Sequence, residues 1–163
     1  MTNNPILYTD FYELTMACGY YEAGKQNEIA YFDYFFRSVP DEGGYTIACG
    51  ISDVLRYLED FHFDEDDIRY LRSKELFTEG FLTYLSQLRF TGDVWAVKEG
   101  SVVFPNEPII IVRAPIIEAQ LVETYLLLQM NHQSLIATKA SRIVKAANGK
   151  TVMEFGARRA HGL

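Results

Sequence analysis

Leu14, Cys18 and Tyr21 recur at spacings of four and three, the period of a helix with one apolar stripe, and predict a helix running to about Glu22. Asp10 precedes it as N-cap, where its carboxylate would accept from unpaired backbone N–H groups, and Glu13 fits the third position of a capping box. Residues 30–37, Ala-Tyr-Phe-Asp-Tyr-Phe-Phe-Arg, are dense in aromatics with Asp33 and Arg37 on one parity, which predicts a strand with one buried face. Residues 40–44, Pro-Asp-Glu-Gly-Gly, combine a fixed φ with two residues free to take positive φ and read as a loop.

Residues 46–90 are mainly helical. Leu55, Leu58 and Phe61 suit a short amphipathic helix, and Phe81, Leu82, Leu85 and Leu88 outline another. Between them Asp64 is an N-cap whose first turn carries Glu65, Asp66 and Asp67, where the helix dipole favours negative charge. That acidic run reads as capping plus a solvated face rather than a metal site.

The character changes at Phe90-Thr91-Gly92-Asp93. Short strands are predicted over 94–97, 102–104 and 109–112, separated by Gly and Pro turns. After Pro115 the pattern is helical as far as the stop at Asn148-Gly149. An unbroken helix over 116–147 would be about 48 Å long, so a joint is expected at Asn131-His132-Gln133-Ser134. Residues 151–155 then read as a strand entering a parallel α/β sheet, which needs companions on both sides. None follows before Leu163, so the chain is expected to be the front part of something longer.

With 163 residues the chain has room for one core, and its 15 Lys+Arg against 22 Asp+Glu give a net charge of -7, which disfavours nucleic acid and anionic membranes. No apolar run is long enough to span a membrane, the first residues do not resemble a signal peptide, and the cytoplasm is the expected compartment. Cys18 and Cys49 make neither a disulfide framework nor a zinc site.

Candidate chemistry is sparse. Arg158 and Arg159 follow Gly156 just past the predicted last strand, where open α/β sheets and barrels bind ligands, and paired guanidiniums suit a phosphate or carboxylate. A solvated or salt-bridged dibasic turn is the bland alternative. Tyr12 lies off the Leu14/Cys18/Tyr21 stripe and is free to present its ring to a flat ligand, or simply to pack at a surface. Lys139 and Arg142, at i and i+3, would reach a phosphate or else form a solvated face. His62, His132 and His161 have no partners at metal-ligand spacing, so no metal site is expected.

Taken together, Thr9-Asp10-Phe11-Tyr12-Glu13-Leu14-Thr15-Met16, Phe35-Phe36-Arg37 with Gly43-Gly44-Tyr45, Phe90-Thr91-Gly92-Asp93-Val94, Ile116-Ile117-Glu118-Ala119-Gln120-Leu121, Ile136-Ala137-Thr138-Lys139-Ala140 and Glu154-Phe155-Gly156-Ala157-Arg158-Arg159-Ala160-His161-Gly162 resemble successive blocks of the bacterial nicotinate phosphoribosyltransferase family. The resemblance implies an α+β architecture: an N-terminal α/β domain with a hammerhead-like β element over 1–149, then the first strand of a truncated, irregular TIM-like barrel over 150–163. It further implies an enzyme that joins nicotinate to 5-phosphoribosyl 1-pyrophosphate in NAD salvage, using Mg²⁺ and ATP and acting as a homodimer. Tyr12 would stack on the pyridine ring, and Arg158, with Arg159, would meet the anionic substrates.

One block of the family is missing. Its phosphorylatable histidine lies in a Thr-x-Ala-His-Ser context that none of His62, His132 or His161 matches. The expectation is therefore no catalytic residue in this chain and no turnover by it alone. A non-catalytic ligand-binding or oligomerisation module, or a nicotinamide or quinolinate phosphoribosyltransferase relative, are the alternatives.

Overall fold

The computed structural model describes residues 5–161. Its spine is a strand, β5 (Ile110–Pro115), in which Ile110, Val112 and Ala114 are buried while Ile111 and Arg113 face outward. Antiparallel partners flank it: β1 (Ile29–Tyr34) on one side and β3 (Asp93–Ala96) on the other, giving the order β1-β5-β3. Register puts Phe32 and Val94 beside Val112 on the inner face. On the outer face Arg113 ties all three strands, its Nη1 donating to Asp93 Oδ2 at 2.9 Å and its Nε to Tyr31 Oη at 3.0 Å.

Helices cover the inner face. After a 3-10 turn at Pro5–Leu7, α1 (Phe11–Glu22) packs on α5 (Ile116–Leu121), which lies on β5 and β1. Three helices lie between β1 and β3: α2 (Ile51–Glu59), α3 (Glu65–Arg72) and α4 (Glu79–Gln87). The expected Asp64 cap is present as a reciprocal box, Asp64 Oδ1 accepting from Asp67 N at 2.8 Å and Asp67 Oδ2 from Asp64 N at 2.9 Å. Phe81, Leu82, Leu85 and Leu88 are all buried, and the Phe81 ring lies 5.6–5.7 Å from those of Phe77 and Tyr21.

A second, two-stranded sheet pairs β2 (Thr46–Ile47) with β4 (Val102–Val103) and rests on the long helix α6 (Glu123–Ala147). That helix is continuous through Asn131-His132-Gln133-Ser134, so the expected joint is not there; the interruption is a single turn at Val122, between α5 and α6. The reason is that the polar tetrad bonds sideways instead of capping. Asn131 Oδ1 accepts from Tyr34 Oη at 3.0 Å, Gln133 Nε2 donates to Asp53 Oδ2 at 2.6 Å, and Ser134 Oγ accepts from Cys49 N at 3.0 Å. Each satisfies a neighbouring element, and the backbone ladder of α6 has no need to open.

Two further expectations are corrected. Asp10 is the N-cap residue of α1, but its side chain makes no capping bond, and Glu13 does not close a box: it turns inward, fully buried, and accepts from the Thr9 and Thr124 hydroxyls. Residues 151–155 form no strand. They have no ladder partner among the described residues, so their apolar side chains lie in solvent, Met153 and Phe155 each 70% exposed. The mixed α/β character of the first domain is present; the described residues contain no barrel strand.

Helix α6 has apolar residues on two faces. Leu126 and Met130 are buried in the core, whereas Leu128, Leu135, Ile136 and Ile143 form a second, exposed stripe. No helix among the described residues is long and apolar enough to cross a membrane.

Candidate functional site

The N-terminal end of α1 meets the N-terminal end of α6 through two adjacent residues, Glu123 and Thr124. Asp10 N donates to Thr124 Oγ1 at 3.1 Å, the Thr124 hydroxyl donates to Glu13 Oε1 at 2.5 Å, and Tyr12 Oη donates to Glu123 Oε1 at 3.2 Å. These bonds join residues 111 to 114 apart in sequence. Tyr12 is placed as its off-stripe position predicts: its ring is 46% exposed, with the phenol held at the edge by Glu123. Partial burial, then the nearby Glu123 and Glu13 carboxylates, raise the Tyr12 phenol above its ordinary range. Burial likewise raises the Glu13 carboxyl, against the lowering effect of the Thr124 and Thr9 hydrogen bonds.

Glu123 also lines an open cleft of about 540 Å³ between β1 and α5/α6. Its floor is apolar, with Ile110, Val112 and Leu126, and its aromatic wall comes from Phe32, Tyr34 and Phe36. Asp33, Arg37, Ser38 and Asn131 are polar groups along it, and Glu123, which also lines it, holds the Tyr12 phenol. Burial pushes the Tyr34 phenol up, so it stays a neutral donor to Asn131 at any working pH. An apolar slot with an aromatic wall and a few polar groups suits a small, flat, polar-edged ligand. A second groove of about 660 Å³, between α3 and α4, is lined by Arg69 and Arg72, which are already paired with Asp66 and Glu79.

The arginine turn lies elsewhere. Arg158 and Arg159 sit in an exposed 3-10 turn, Ala157–Arg159, where Arg158 Nη1 donates to Phe155 O at 3.3 Å. No ion pair engages either guanidinium among the described residues. Just beyond the turn, the His161 ring lies 6.3 Å from that of His132 on α6. His132 is nine residues past Glu123, about 13 Å along the axis at ~1.5 Å per residue, so the His161 contact and the Tyr12 contact fall on different stretches of α6.

Arg142 and His62 are held by neighbouring groups. Arg142 turns away from Lys139 to pair with Asp41 at 3.5 Å and to cover the Tyr45 ring at 5.9 Å. His62 Nδ1 lies 2.7 Å from Asp60 O. No group of three or more His, Cys, Asp or Glu that could hold a metal ion occurs among the described residues. Glu123, Thr124, Arg37 and Asn131 were not distinguished by local pattern, because what sets them apart is a partner or a cleft built from distant chain.

Residues 7–131 match the family model of the nicotinate phosphoribosyltransferase (NAPRTase) N-terminal domain. A nicotinate phosphoribosyltransferase of Mycobacterium tuberculosis, pncB2, is 54% identical over 96% of this chain, and one of Bacillus subtilis is 46% identical over 95%. These alignments take up 34% and 32% of the relatives, so the chain spans about a third of their length. The crystal structure of human nicotinic acid phosphoribosyltransferase superposes with a TM-score of 0.87 at 36% identity, covering 95% of this chain and 32% of that one. A nicotinate-nucleotide pyrophosphorylase from Pyrococcus furiosus shares the fold, with a TM-score of 0.74 at 24% identity. Matched along nearly its whole length by sequence and by shape, the chain belongs to the nicotinate phosphoribosyltransferase family, to which it contributes the N-terminal domain.

Proposed function

We propose that this chain is the base-presenting part of an enzyme that joins nicotinate to 5-phosphoribosyl 1-pyrophosphate, giving nicotinate mononucleotide and pyrophosphate with ATP hydrolysis, in the cytoplasm and as a homodimer. The observation that carries this reading is Tyr12: within a chain of this family, its ring is turned out to solvent and its phenol is held by Glu123, a residue that itself lines an apolar cleft. There it stacks on the pyridine ring, a contact worth ~1–3 kcal/mol for an aromatic side chain against a base. Arg158 and Arg159, exposed and without carboxylate partners among the described residues, receive the anionic groups of the substrates.

Departure of pyrophosphate leaves oxocarbenium character on the ribose, so the work of such a site is to align a weak pyridine nucleophile and to hold the leaving charge. Mg²⁺, when bound with the phosphorylated donor, would supply charge stabilisation for the departing pyrophosphate, alongside Arg158 and Arg159. In this reading the ATP-coupled step uses a histidine in a Thr-x-Ala-His-Ser context, which is none of His62, His132 and His161. The second apolar face of α6 and the exposed apolar residues at 152–155 support a place within a larger body, whose barrel begins near residue 150.

The test grafts this chain in place of the matching third of the Mycobacterium tuberculosis relative and follows pyrophosphate release from nicotinate and the ribosyl donor. Tyr12→Ala is expected to raise the KM for nicotinate about 5- to 150-fold, the equivalent of ~1–3 kcal/mol. An unchanged nicotinate KM would remove the role assigned to Tyr12.

A further inference from the structure

Tyr12 is a half-exposed side chain in the first turn of a helix, and such a ring ordinarily samples several rotamers. Here three bonds from one dipeptide act on the turn that carries it. Thr124 takes the Asp10 backbone N–H and gives its own proton to Glu13, which fixes where α1 begins and how it is rotated. Glu123 takes the Tyr12 phenol proton, which fixes the far end of the ring. Thr9 adds a second hydroxyl to Glu13 from the other side. The carboxylates facing the phenol are Glu123 from α6 and Glu13 and Asp10 from its own segment.

We infer that Glu123 and Thr124 are positioning residues for Tyr12: a two-residue clip on the first turn of α6 that sets the entry of α1 and fixes the orientation of the Tyr12 ring. The inference rests on the reading of Tyr12 as the base platform, and it adds the part of the fold that orients it. Glu123 belongs to both structures at once, since it lines the cleft and holds the phenol. Pre-organising a ring in its bound orientation spares the ordering cost at binding and leaves the chemical step alone. The consequence is a selective one, falling on nicotinate and not on the ribosyl donor.

Two measurements test this. In the 163-residue chain labelled with ¹³C-tyrosine, Glu123→Ala should loosen the Tyr12 ring order and lower its titration toward the ordinary phenol value. Glu123→Gln, which keeps an acceptor but loses the charge, should preserve ring order while the titration still falls. In the hybrid enzyme, Glu123→Ala should raise the KM for nicotinate about fivefold with kcat and the donor KM unchanged, and Glu123→Gln should restore most of the loss. Ring order unmoved by Glu123→Ala overturns the inference, as does an unchanged nicotinate KM in a hybrid whose KM does respond to Tyr12→Ala. Should Tyr12→Ala itself have no effect, the base-platform reading falls, and ring order in the chain decides on the clip by itself.

Discussion

Glu13 is the most informative residue to perturb for stability, because it is a carboxylate with no exposed surface whose partners are two hydroxyls and not a cation. Glu13→Ala removes an aliphatic stem worth about 1 kcal/mol at ~0.8 kcal/mol per buried CH₂. It also takes the acceptor away from the Thr124 and Thr9 hydroxyls, at a cost of ~1–3 kcal/mol for part-buried donors left without it. Against this stands the relief from burying a carboxylate, so the net loss should be about 2 kcal/mol, or ~4–8 °C in Tm for a chain of this size. Glu13→Gln keeps the stem and one acceptor and should cost less than about 1 kcal/mol. The two variants also differ from the parent in pH dependence. Burial raises the Glu13 carboxyl above its ordinary 4.5, so the folded protein holds that proton more tightly than the unfolded chain. Its contribution is therefore greatest below pH 4.5 and is lost as pH rises through the folded value, a slope that either substitution removes. Urea unfolding followed by far-ultraviolet circular dichroism at a series of pH values measures both effects. A Glu13→Ala variant within about 0.5 kcal/mol of the parent, well below the net loss of about 2 kcal/mol, and with the same pH slope, would refute the reasoning.

Three shorter predictions follow from other parts of the fold. Gly92→Ala should destabilise by ~1–3 kcal/mol or more, since its Cβ would strike the Arg113 carbonyl oxygen and lie 2.5 Å from Ala114 Cβ; a thermal melt within a degree of the parent would contradict that. Asp64→Ala removes the acceptor for Asp67 N and should cost ~0.5–2 kcal/mol in chemical denaturation, with no loss counting against the box. The exposed stripe of α6 should drive concentration-dependent association seen by sedimentation velocity, and Leu135→Lys with Ile136→Glu should reduce it; identical sedimentation of parent and variant would count against the stripe.

Much of the fold is legible in the pattern of the chain, and the misses share a cause. Asp64 and the Phe81/Leu82/Leu85/Leu88 stripe are found where they are expected because each is decided within a turn or two of helix. Residues 131–134 looked like a joint because Asn, Gln and Ser are local helix competitors, but here their side chains are occupied by Tyr34, Asp53 and Cys49, which lie 80 to 97 residues away. Residues 151–155 looked like a strand because Val152, Met153 and Phe155 suit one, yet a strand exists only by pairing, and no described strand lies beside them.

The candidate site divides along the same line. That Tyr12 faces outward follows from helical period alone, and the structure leaves its ring half in solvent. What holds it there does not follow, because an acidic residue in the first turn of a helix is expected on dipole grounds whether or not it has a partner, and Glu123 in that turn of α6 satisfies the rule without drawing attention. The same residue type at Glu13 satisfied a different local rule, the capping box, and that rule lost to a hydroxyl from α6. Both carboxylates are thus spent on a contact between the first helix and the sixth. A substitution in the Glu123-Thr124 pair should for that reason be felt first at Tyr12, 111 residues away, and only weakly in the helix that carries the pair.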